Sequence, residues 1–312
     1  MKTRRSTLKM AFGSAAAAAL ARAEPMAAPV ASRIIDTHTH FFDPTRPQGV
    51  PWPTKGSPLY HPVYPKDWAA VANKLGVRET VVVESSPWPG DNDWILNLAA
   101  KEKSIVGFIG HGLPGSSDFA KEIKRLAANP IFRGVRVGGD ELRDNIGSND
   151  FVQGARQLAD LDLVLEVSGL DDLAQVAKFA AKVPALRIVL GHAGNPGNPQ
   201  AVRPGWKEGI AAVAKPHNVV CKVSALTEYN GLPGGKAPTQ SAYYLPVLNH
   251  VWDAFGDDRL MFGSDWPVSD GASTYEVLFR IVSDFFKPKG GEACEKFFWK
   301  NSLAAIKWIE RK

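Results

Sequence analysis

Eight short apolar, β-branched segments alternate with helical stretches along this chain, and that alternation constrains its fold more than any other feature. The segments fall at residues 34–37, 77–84, 104–109, 132–137, 163–167, 186–190, 218–223 and 259–262. Helical text follows each of them, ending in a last predicted helix over 292–310. Strands separated by crossover helices pair in parallel, because each helix must cover a face of the sheet. Eight such units predict an α/β fold: one closed (β/α)8 barrel, a TIM barrel, over residues 32–312. An open doubly wound sheet is the alternative. No glycine-rich fingerprint follows the first strand, which argues against a dinucleotide fold. With 45% apolar residues, the chain is sufficient for a single large core.

In a barrel of this kind the C-terminal strand ends converge on one mouth. Here those ends carry His38 and His40 (first strand), Glu84 (second), His111 (third), Arg136 (fourth), Glu166 (fifth), His192 (sixth) and Asp265 (eighth). His38 and His40 are two apart on an extended segment, so both side chains serve one face. Each residue alone has an ordinary reading: a histidine caps a strand, and the aspartate of Gly263-Ser264-Asp265 caps a turn. Together, on one rim, Asp265, His192, His38 and His40 are the expected catalytic set. The Arg136 guanidinium has the fork that suits a substrate carboxylate, or it pairs with Glu84 or Glu166. Glu228, just past the seventh strand, binds a substrate hydroxyl or caps a loop. Trp266, Trp52 and Tyr229 are candidate pocket walls, although tryptophans fill barrel cores as readily. The Pro-, Gly- and Trp-rich stretch 41–65 is long enough to be a loop over the site.

The N-terminus has a different character. Lys2, Arg4, Arg5 and Lys9 precede an uncharged alanine-rich run, and Ala21-Arg22-Ala23 has small-x-small spacing. This predicts an export signal of the twin-arginine kind over residues 1–31, cleaved after residue 23, 28 or 31, with delivery to the periplasm by the twin-arginine machinery. The net charge of +5 resides in residues 1–23, which hold five basic residues and no acidic one, so that cleavage after residue 23 leaves acids and bases balanced. The remaining chain therefore offers no electrostatic case for nucleic acid. No later segment approaches the roughly 18 to 20 apolar residues that span a bilayer, so stable membrane insertion is not expected. Cys221 and Cys294 are the only cysteines, and their spacing indicates no disulfide framework.

IIDTHTHFFD at 34–43, IVLGHAGNPG at 188–197, VVCKVSAL at 219–226 and RLMFGSDWPV at 259–268 together resemble the amidohydrolase-related family. The likeness is greatest to its sugar-lactone and dicarboxylate or muconolactone lactonases. The resemblance implies hydrolysis of a small lactone bearing hydroxyls or a carboxylate, with Asp265 as the general base and His38, His40 and His192 polarising the carbonyl. In the wider superfamily a strand-five histidine joins a metal-centred site; here that strand offers Glu166 and Ser168. One divalent ion such as zinc, held by His38, His40 and Asp265 with Glu166 or His192, and no required cofactor both remain open. Alternatives are a metal-dependent decarboxylase or hydratase of the same superfamily, and a barrel that binds a small ligand without turnover.

Overall fold

The computed structural model describes residues 30–228 and 235–311. Eight parallel strands form one sheet in sequential order: β1 (Ile35–Thr39), β2 (Glu79–Val83), β3 (Ile105–His111), β4 (Phe132–Gly138), β5 (Val164–Ser168), β6 (Arg187–Leu190), β7 (Val219–Val223) and β8 (Leu260–Phe262). Each expected strand is present, displaced by at most two residues at its ends. Beyond β8 the chain returns to β1. The Asp265 amide donates to the His38 carbonyl at 2.8 Å, and the His40 amide donates to the Trp266 carbonyl at 2.9 Å. These bonds carry the barrel around to its first strand.

The helices α1 (Pro65–Ala72), α2 (Pro89–Lys101), α3 (Phe119–Ala127), α4 (Gly139–Asn145), α5 (Asn149–Asp160), α6 (Leu173–Lys182), α7 (Trp206–Val213), α8 (Leu245–Phe255) and α9 (Tyr275–Phe286) lie between or after the strands. Local chemistry fixes several starts. The Thr274 hydroxyl accepts from the Val277 amide, Ser148 from Phe151, and Asp172 from Ala174, satisfying amides that a helix start leaves unpaired. The expected helix over 292–310 is instead broken into α10 (Gly291–Glu295), a π turn (Lys296–Lys300) and α11 (Asn301–Ile306).

Inside the sheet, Ile35, Val81, Val106, Val164, Val189 and Met261 form one apolar layer, closed at one end by Ala305, Ile306 and Trp308. The C-terminal segment thus plugs the bottom of the barrel: Arg187 Nε donates to the Ala305 carbonyl and the Ile309 amide to that of Val106. The opposite mouth, at the C-terminal strand ends, is left for polar side chains. No helix among the described residues is long and apolar enough to cross a membrane. The predicted leader, apart from residues 30 and 31, lies outside the described residues, as does Tyr229.

Candidate active site

The register of β1 against β2 shifts between Asp36 and Thr39. Asp36 consequently faces the helix layer, whereas His38 and His40 both enter the barrel. The buried Asp36 carboxylate collects the Ser264 amide at 2.8 Å, the Ser264 hydroxyl at 2.6 Å and the His38 amide at 3.1 Å. From the helices it also takes the Tyr275 hydroxyl at 3.0 Å and Trp68 Nε1 at 3.3 Å. Burial raises its carboxyl even so. Asp36 therefore ties the turn that carries Asp265 to the strand that carries the histidines. Sequence reasoning passed over it; the signal was the lone acid between Ile35 and Thr37 at the start of β1.

Asp265 and His192 occupy the left-handed region, with φ of 68° and 53°. Non-glycine residues rarely adopt it, and they persist there only where surrounding contacts over-determine the turn. Asp265 Oδ1 lies 3.1 Å from His38 Nε2 and 3.0 Å from His40 Nε2, and the two ring nitrogens are 3.2 Å apart. His192 joins from β6, its ring centroid 4.7 Å from that of His38 and its Nδ1 3.0 Å from the Ser224 hydroxyl. Burial keeps His192 neutral, pulling its pKa down to about 3, and lowers that of His40 as well. Burial opposes ionisation of Asp265, but the surrounding histidines, His38 foremost, outweigh it and hold the carboxyl well below its usual range.

These groups form the floor of a cavity of about 470 Å³, lined by His40, His192 and Asp265. Around it stand Glu84, His111 and Arg136 from the strand ends, Trp52 from the long loop after β1, and Glu228 from beyond β7. Arg136 lines the cavity, donates from Nε to the Ser168 hydroxyl at 3.2 Å and has Glu84 Oε1 4.0 Å away. Burial and the adjacent Asp265 carboxylate raise the Glu228 carboxyl far above its ordinary range.

Three expectations change. His38 is fully buried and lies beneath the floor. Glu166 is neither at the rim nor beside Asp265; it is fully buried on the other side of His38, with Oε1 3.3 Å from Nδ1 of that ring. A strand-five side chain reaches the mouth only from the last inward position, and Ser168 holds it. Trp266 packs in the core edge-on to Phe41 and donates to Asp270, because the turn after β8 sends Asp265 inward and the next residue outward. Lys222 on β7 went unread: fully buried, its Nζ lies 2.5 Å from Glu166 Oε2.

The donor set fits a divalent cation. His40 Nδ1 faces the Val83 carbonyl at 3.0 Å and so carries the proton, which leaves a lone pair on Nε2 directed at the Asp265 carboxylate. Separations of 3.0 to 3.2 Å among the two ring nitrogens and Oδ1 resemble the edges of a tetrahedron built on bonds of about 2.0–2.1 Å. Ligand atoms of His38, His192 and Asp265 also lie within 4.8 Å of one another.

An amidohydrolase family model matches residues 35–307, nearly the whole barrel. The chain belongs to the amidohydrolase family. Among curated relatives, this amidohydrolase is 31% identical over 239 residues to an L-fucono-1,5-lactonase of Burkholderia ambifaria, covering 75% of this chain and 80% of the relative. It is 25% identical over 279 residues to the L-fucono-1,5-lactonase of Burkholderia multivorans, with 86% and 94% covered. An amidohydrolase crystal structure from Burkholderia multivorans superposes with a TM-score of 0.81 at 24% identity, over 89% of this chain and 100% of that one. A probable 2-pyrone-4,6-dicarboxylic acid hydrolase from Acinetobacter baumannii gives 0.68 at 19% identity, over 88% and 100%. Both structures share the fold.

Proposed function

We propose that this amidohydrolase hydrolyses a small lactone by activated water, with a sugar-acid lactone favoured over a dicarboxylate one. The observation that carries this reading is the Asp265 carboxyl on the cavity floor, 3.0 Å from His40 Nε2 and 3.1 Å from His38 Nε2, with His192 beside them. The relatives named as L-fucono-1,5-lactonases support it. A barrel that merely binds ligand would need Asp265 engaged away from the cavity.

Asp265 takes a proton from water as the oxygen attacks the lactone carbonyl carbon. His192 is assigned the Nε2–H tautomer, in which the Ser224 hydroxyl 3.0 Å away donates to Nδ1 and Nε2–H donates to the developing oxyanion. As the tetrahedral intermediate collapses, the bond to the ring oxygen breaks. Asp265 returns the proton to that oxygen, giving the hydroxy acid. A divalent ion such as zinc, when bound by His38, His40 and Asp265, supplies Lewis-acid polarisation and a more acidic water. Arg136 orients the substrate, Glu84, His111 and Glu228 meet its hydroxyls, and Trp52 covers one side of the ring. Among the described residues, the carboxylates of Glu84, Glu141 and Asp265 line the cavity, together with the Glu228 carboxyl that burial and Asp265 keep protonated, against the single guanidinium of Arg136. That balance favours an uncharged, hydroxyl-rich lactone over a dianion.

A panel of aldonolactones and carboxylated lactones, followed with a pH indicator, tests the reading. Faster turnover of the aldonolactones is expected, and absence of turnover on both groups overturns it.

Residues 1–31 are proposed to form a twin-arginine-type export signal that delivers the barrel to the periplasm. Ala31 is buried against the core, which supports cleavage after Ala23 or Ala28 over cleavage after Ala31. Arg4→Lys with Arg5→Lys is expected to retain the precursor inside the cell; normal export of that variant contradicts the assignment.

A further inference from the structure

Lysine is the costliest kind of side chain to leave inside a barrel, yet Lys222 and its partner Glu166 are both fully buried. Lys222 Nζ lies 2.5 Å from Glu166 Oε2, and Glu166 Oε1 lies 3.3 Å from His38 Nδ1. Neither side chain lines the cavity. Both stand on the side of the His38 ring opposite Asp265, whose Oδ1 is 3.1 Å from Nε2. The backbone makes room for them. A Cβ on Gly263 would come within 2.9 Å of His38 Cβ and 3.3 Å of Lys222 Cδ, and one on Gly191 within 3.5 Å of Glu166 Oε1.

Such a pair is a poor source of stability. Desolvating two ions offsets most of their attraction, and apolar residues of equal volume often serve the core as well or better. Val164, Val189 and Met261 in the adjacent layer, on β5, β6 and β8, are that apolar solution. What distinguishes the pair is the group it faces. A carboxylate on one ring nitrogen fixes the orientation of an imidazole and decides which nitrogen keeps a lone pair. Lys222 Nζ is 3.5 Å from the same Nδ1, at the outer limit of a hydrogen bond, while the buried Glu166 Oε1, 3.3 Å from Nδ1, has no other hydrogen-bond partner among the described residues, so a proton on Nδ1 would satisfy it.

We propose that Glu166 and Lys222 are the positioning pair of this site. Glu166 holds His38 by Nδ1–H, so that the Nε2 lone pair is presented to Asp265 and His40, and Lys222 holds Glu166 in place. Neither touches substrate. The inference rests on the lactonase reading only for its kinetic consequence, since the state of the His38 ring is observable without any substrate.

The test is the double variant Glu166→Gln with Lys222→Met, which removes both charges at nearly constant volume. Nitrogen-15 spectra of the histidine rings in the full chain report the tautomer, and steady-state kinetics on the best lactone report the consequence. The expected result is a folded protein with a Tm near wild type, in which His38 shifts toward its Nε2–H form. kcat is then expected to fall roughly 10- to 100-fold, with KM changed by less than about threefold. A folded double variant with an unaltered His38 spectrum overturns the proposal, as does a wild-type kcat. A shifted spectrum in a protein whose wild type turns over no lactone overturns the functional reading and leaves the positioning pair standing. Should the double variant not fold, Glu166→Asp keeps the charges and withdraws the carboxylate from His38 by one methylene. The same spectral shift is expected, and its absence overturns the proposal.

Discussion

His40 stands with Nε2 3.0 Å from Asp265 Oδ1 while its Nδ1 donates to the Val83 carbonyl, so a ring lone pair is aimed at a carboxylate. Two acceptors at that separation repel unless a cation lies between them. Zinc is therefore expected to bind the purified protein tightly enough to raise its Tm. At a hundredfold excess over Kd the added stability is about 2.7 kcal/mol. The shift should vanish in His40→Gln. A Tm indifferent to zinc, with lactone hydrolysis at full rate after thorough chelation, would remove the ion from the account.

Arg136 meets the cavity with a fork already steadied by the Ser168 hydroxyl and by Glu84. Losing a charged hydrogen-bond donor to bound substrate costs about 1.5–3 kcal/mol, or roughly 10- to 100-fold in kcat/KM. Arg136→Gln should show that loss mostly as a higher KM. Arg136→Lys should restore little of it, because an ammonium lacks the planar fork. A KM unchanged in both variants would assign Arg136 to structure alone.

Asp36 gathers donors from Ser264, His38, Tyr275 and Trp68. Asp36→Ala would leave several of them buried without an acceptor, at about 1–3 kcal/mol each. Chemical denaturation should show a loss of at least about 3 kcal/mol. The turn after β8 should loosen and activity fall with it. A change of less than about 1 kcal/mol would mean that water replaces the carboxylate.

Asp162 supplies a pH signature remote from the cavity. Burial opposes its ionisation, but hydrogen bonds from Lys307 and Arg187 outweigh this and lower the pKa of its carboxyl. A depressed carboxyl contributes stability above its unfolded pKa and loses it as pH falls through the folded value. The side chain is 52% exposed, so the contribution is under about 1 kcal/mol after screening. Asp162→Asn should slightly lower Tm at neutral pH and narrow its gap to wild type near pH 3. A gap that stays constant across that range contradicts the assignment.

The barrel was legible because a parallel strand buried on both faces leaves a continuous apolar run, and eight such runs are hard to produce otherwise. Its rim followed from strand ends alone, which is why His40, His192, Asp265, Glu84 and Arg136 were found. Depth was not legible. The register shift in β1 turns Asp36 outward and His38 inward, against simple alternation. Lys222 in VVCKV reads as an exposed polar position until Glu166, 56 residues earlier, is seen opposite it. Glu166 and Trp266 were placed one layer wrong for the same reason: sequence spacing gives a strand and a face, and burial within the barrel depends on which opposing side chains are long enough to meet.

The central claim is that Asp265 moves the proton of the attacking water. Asp265→Asn preserves shape and removes the base, so kcat for the best lactone at neutral pH is the most direct measurement. A fall of about 10²–10⁴-fold, with a Tm close to wild type, is the predicted result. A folded Asp265→Asn protein that hydrolyses the lactone within about threefold of the wild-type kcat would contradict the account.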